Sequence, residues 1–114
     1  MEVSVNEQLE LFNAFRRGHE AAEAAADRAD RDSDGWTEQA EVLFARFAKE
    51  AAKPFLTEEA RRFAESCGLP KPPDGRAWGH VAKKCQRTGV IVPAGFRAAK
   101  SSNGSPKILW AANN

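Results

Sequence analysis

The sequence predicts a small α+β domain, mostly helical, closed by a C-terminal two-stranded hairpin. Three observations carry that prediction. Apolar residues recur at steps of three and four in four successive stretches between residues 5 and 88. β-Branched and aromatic residues concentrate in two short runs after Gly89. The pair Asn103-Gly104 lies between those runs, where a hairpin turn belongs. A chain of 114 residues, 42% of them apolar, accommodates one compact domain plus an appendage.

The elements follow in order. Ser4-Val5-Asn6-Glu7 fits the capping box S-x-x-E and starts a helix expected over about 5–31. Gln8, Phe12, Phe15, His19, Ala22, Ala26 and Ala29 make one stripe along it, aromatic at first and small afterwards. Asp32-Ser33-Asp34-Gly35 reads as a turn with a new cap. The second helix places Trp36, Ala40, Leu43, Phe44, Phe47 and Ala51 on one face and ends at Pro54. Thr57 caps a short third helix whose first turn carries Glu58 and Glu59, and Cys67-Gly68 stops it. Leu69-Pro70-Lys71-Pro72-Pro73 is a stiff linker, and Asp74 caps the fourth helix. That helix covers about 76–88, with Ala77, Trp78, Val81, Ala82 and Cys85 inward, and Gly89 closes it. Val90-Ile91-Val92 opens a strand that Pro93 and Gly95 disturb. Lys107 to Ala111 returns as the second strand. Residues 1–33 are thus a helical extension, and 34–112 the domain proper. Trp36, Phe44, Phe47, Trp78, Val81 and Trp110 are expected to share its core.

Several classes are excluded. No window approaches the ~18–20 apolar residues of a membrane span. The first residues lack a basic segment followed by an apolar run, so no secretion signal is expected. Two cysteines, Cys67 and Cys85, do not make a disulfide framework. A reducing, cytoplasmic setting is the expectation.

The net charge of +1 averages two opposite halves. Residues 1–53 carry 12 acidic and 7 basic side chains, whereas residues 54–114 carry 4 acidic and 10 basic. From Cys67 onward Asp74 is the single acid, against eight Lys and Arg. Such asymmetry points the basic half toward a polyanion and the acidic half toward water or a protein.

Helix, short helix, linker, helix and hairpin over residues 36–111 resemble a winged helix-turn-helix domain. The stretch from Pro72-Pro73-Asp74-Gly75-Arg76-Ala77-Trp78-Gly79 to Asn103-Gly104-Ser105-Pro106-Lys107 is also similar to small winged-helix proteins of bacteriophages and prophages. The resemblance covers about two-thirds of the chain and rests on element order. The linker is longer than that of a tight helix-turn-helix, which allows the angle between the third and fourth helices to differ from that of a repressor.

In such a domain the helix before the hairpin is the recognition helix. Its outward positions here are Arg76, Gly79, His80, Lys83 and Arg87, with Lys84 flanking, a donor set suited to major-groove acceptors. Arg97, Lys100 and Lys107 on the hairpin suit phosphates. The leading expectation is a non-catalytic protein that binds double-stranded DNA, in regulation or replication of a phage or prophage. The alternative is a protein-interaction module that inhibits or recruits a host or phage protein complex.

Other constellations are read as structure. Cys67, His80, Cys85 and His19 lack the short paired spacing of a zinc site. Asp30, Asp32, Asp34, Gly35 and Glu41 match part of a calcium loop, but the helix starting at Trp36 uses up its second half. No catalytic group, metal or cofactor is expected. The N-terminal stripe packs on its own domain, pairs with a second copy in a homodimer, or belongs to a disordered or partner-binding arm.

Overall fold

The computed structural model describes residues 5–98 and 106–113; of the side chains, those of residues 5–12, 14 and 15 are also outside the description. The described residues form an α+β fold, mostly helical: α1 (Val5–Asp32), α2 (Trp36–Glu50), α3 (Thr57–Ser66), α4 (Ala77–Arg87), and an antiparallel hairpin of β1 (Ile91–Ala98) and β2 (Pro106–Ala112). The expected cap at Ser4 and the Asn103-Gly104 turn lie outside the described residues, as do the side chains of the stripe positions Gln8, Phe12 and Phe15.

With 28 residues, α1 is about 42 Å long. Its second half packs on α4 and α2 and buries Ala25, Ala26 and Ala29. Methyl groups in place of larger side chains let the helices approach closely. His19, expected on the buried stripe, is exposed and pairs with Glu23 one turn on (2.9 Å). The reason is length: α4 has 11 residues, about 16 Å, and reaches only part of α1. The extension and the domain share one core, because Ala25, Ala26 and Ala29 join the cluster that holds Trp36 and Trp78.

The turn before α2 uses Gly35 in the left-handed region, φ 72°. Its cap comes from the previous helix: Asp30 Oδ1 accepts the Thr37 N–H at 2.8 Å. α2 ends at Glu50, where Ala51 turns extended, before Pro54 is reached. Phe55 then pairs with Trp110 of β2 through both backbone groups, 2.9 and 2.8 Å. Thr57 is not the cap of α3. Leu56 holds that place, and Glu59 Oε2 accepts its N–H at 2.9 Å. The Thr57 hydroxyl instead accepts the Trp110 indole N–H at 3.1 Å.

The linker after α3 is held down. Leu69 is buried, and Pro70 O accepts the Trp36 indole N–H at 2.8 Å. Asp74 caps the following turn, its Oδ1 accepting the Arg76 N–H at 3.0 Å. All five residues expected inward on α4 are buried. In the hairpin, Arg97 lies opposite Lys107 and Val92 opposite Ala111, and the register slips between Pro93 and Phe96. Gly95 sits in that bulge at φ 116°, a conformation open to glycine.

Trp36, Phe44, Trp78, Val81 and Trp110 are buried in one cluster. The Trp36 and Trp78 rings meet edge to face, 5.3 Å between centroids. Such a pair adds about 0.5–1.5 kcal/mol beyond area burial. Phe47, expected in the same core, packs at its margin, partly buried against Phe55 (4.9 Å) and Phe63 (5.5 Å). Phe44, at 0% exposure, has the deeper place. Phe44→Ala is expected to cost roughly 3–5 kcal/mol in chemical denaturation, and Phe47→Ala less, since water fills part of the space it leaves. The reverse order would contradict this packing.

Candidate nucleic-acid interface

α4 buries one face and splits its remaining positions between two sides. Lys84 and His80 turn toward the acidic half of the chain. Lys84 Nζ lies 3.0 Å from Glu41 Oε1 on α2. His80 and Lys84 line a cleft with Asp27, Asp30, Asp34 and Glu38. Gly79 is exposed: a Cβ there would stand 3.9 Å from the Ala22 methyl of α1, and the residue also lines the groove between α3, α4 and the hairpin. Lys84 and His80, read in the sequence as facing DNA, lie instead on the side of α4 that faces the acidic residues of α1 and α2.

Lys83 and Arg87 are exposed and make no ion pair among the described residues. Lys107, exposed on β2, is also unpaired there, and with Lys83 it lines a groove between α3, α4 and the hairpin. The fold thus brings together two cations that are 24 residues apart in the chain. Arg97, opposite Lys107, is held by Glu59 Oε1 of α3. Glu59 consequently serves two elements, one oxygen capping α3 and the other tying down β1. Lys100 lies outside the described residues.

Arg76 stands at the start of α4 and forms a two-atom contact with Asp74: Nε to Oδ2 at 3.0 Å and Nη2 to Oδ2 at 2.6 Å. Hydrogen bonds from its guanidinium and backbone N–H hold the Asp74 carboxyl at about 2. The pair is exposed, so it orients Arg76 more than it stabilises the fold. Cys85 is an inward residue whose thiol is pushed up to about 11, chiefly by burial and then by the charge of Glu41. Cys67 is exposed at the end of α3. Among the described residues no three His, Cys, Asp or Glu side chains converge as a metal site would require, and no helix is long and apolar enough to cross a membrane.

One feature of the groove is not legible in helical spacing. Phe96 is 73% exposed at its edge, while Trp78, Ala82, Ile108 and Trp110 form its walls. The sequence signal was the aromatic residue next to Gly95, but only the bulge decides which way it points.

The Asp74 contact has a measurable consequence. In an NMR titration the Asp74 carboxyl is expected to show its midpoint near 2. Arg76→Gln is expected to return it toward 3.8. Because the folded value is depressed, whatever the pair adds to stability is complete above the unfolded carboxyl's range. It is lost as pH falls through about 2. An unchanged midpoint in the variant would show that Arg76 does not hold the carboxylate.

Comparison with protein-family models, with curated proteins and with solved structures gives no match.

Proposed function

We propose that the protein is a non-catalytic binder of double-stranded DNA that uses the outer edge of α4 and the hairpin. The observation that carries this reading is the convergence of Lys83 from α4 and Lys107 from β2, with Arg87 exposed further along α4. From Gly75 onward the chain has no acidic residue to offset them. A polyanion gains from every such cation it contacts, through release of its condensed counterions.

The finer reading is a winged helix-turn-helix. It is supported by the element order and by the Phe55–Trp110 bridge, which lays a third extended segment along β2. In this reading the hairpin is the wing and α4 the recognition helix. The approach of α1 to Gly79 and the pairing of Lys84 with Glu41 favour contacts along the phosphate backbone over deep insertion into the major groove. A cytoplasmic role in regulation or replication of a phage or prophage rests on the resemblance of the 72–79 and 103–107 stretches.

Binding of a random-sequence duplex, followed by fluorescence anisotropy at several salt concentrations, tests the proposal. With three phosphate contacts, from Lys83, Arg87 and Lys107, log K is expected to fall against log salt with a slope of about −3. Lys83→Gln with Lys107→Gln should weaken binding to all sequences and reduce the slope by about two. Absence of binding at low salt would overturn the DNA reading and favour a protein-docking role for the same face.

A further inference from the structure

The groove between α3, α4 and the hairpin has the build of a small-molecule site as well as the position of a backbone contact. Its volume is about 430 Å³, within the range of ligand pockets. The walls are apolar: Trp78 and Ala82 from α4, Ile108 and Trp110 from β2, and Phe96 standing at the edge. Lys83 and Lys107 line it from opposite elements, and neither has a carboxylate partner among the described residues. Glu58 also lines the groove, and Arg62 of the same helix lies 3.6 Å from it. The Trp78 indole N–H, buried in the wall, has no acceptor among the described residues. An apolar wall supplies affinity for a flat hydrocarbon body, and two unpaired ammonium groups select a negative charge on it.

We propose that this groove binds a small amphipathic anion of the aryl carboxylate class, with its ring against Trp78, Ile108 and Phe96 and its carboxylate toward Lys83 and Lys107. Aromatic ring and wall remove each other's apolar surface from water, and Phe96 loses its own exposure. The carboxylate occupies the same two cations that the DNA reading assigns to phosphates. Ligand and duplex consequently compete for Lys83 and Lys107, and the ligand acts as a release signal for DNA. The binding itself rests on the groove alone, and only the competition rests on the DNA reading.

The test uses the full chain and 2-naphthoate as the probe, with 2-naphthalenemethanol as its uncharged counterpart. Binding is followed by calorimetry and by quenching of tryptophan fluorescence. A ligand of this size is expected to saturate one site with a dissociation constant of about 0.1–1 mM. The alcohol should bind about tenfold more weakly, and so should 2-naphthoate to the Lys83→Gln, Lys107→Gln double variant. Lys71→Gln, an exposed lysine outside the groove, should leave binding unchanged. Phe96→Ala, at an exposed position that the core does not use, should weaken both compounds alike. Failure of 2-naphthoate to saturate a site, or equal affinity for the acid and the alcohol, would overturn the proposal. So would unchanged affinity in the double variant. A protein that binds 2-naphthoate but no duplex keeps this site and loses the DNA reading. One that binds duplex but not 2-naphthoate does the opposite.

Discussion

Trp110 ties the hairpin to the helices in three ways at once. Its backbone N–H and C=O both pair with Phe55, its indole N–H is accepted by Thr57, and its ring is buried in the core. A two-stranded hairpin alone is marginally stable in water. Here its far strand is fixed to the segment that starts α3, so β1 and β2 stand at a set distance from α4. The groove, with Lys83 and Lys107 in its lining, exists because of that attachment. Glu59 reinforces it from the other strand by holding Arg97.

The opposed charges of the two halves acquire a spatial meaning in the fold. The acidic residues of α1 and α2 do not merely face water. Glu41 takes Lys84, and Asp27, Asp30, Asp34 and Glu38 surround the side of α4 that carries His80. Part of the basic half is thus neutralised internally, and Lys84 ties α4 to α2. What remains on the opposite side is a smaller set, Lys83, Arg87 and Lys107, directed outward. A chain with a net charge of +1 can then present a basic face without being basic as a whole.

Much of this was legible in the residue pattern. The four helices, the inward face of α4 and the two strands follow from spacing, from Gly89, and from β-branched runs, because each is decided by local chemistry. Contacts between distant elements were not legible. Nothing around Thr57 says that its hydroxyl serves Trp110 in place of a helix cap. Nothing around Asp30 says that it caps α2 across a turn. For the candidate site, helical spacing ranked Gly79, His80 and Lys84 with Lys83 and Arg87, since all five avoid the buried face. What separates them is the placing of Glu41 on α2 beside Lys84, and the path of α1, whose small residues Ala25, Ala26 and Ala29 are buried in the shared core. The role of Arg97 was equally hidden, because its partner Glu59 lies 38 residues away.

The central claim is that one face, made by the outer edge of α4 and β2, meets a polyanion. Amide chemical-shift mapping of the isotope-labelled protein during titration with a short DNA duplex tests it most directly. The account predicts shifts clustered at Lys83–Arg87 and Pro106–Ile108, with the outer face of α2 around Val42 and Arg46 left unmoved. Shifts centred on the acidic residues of α1 and α2, or none at low salt, would contradict it.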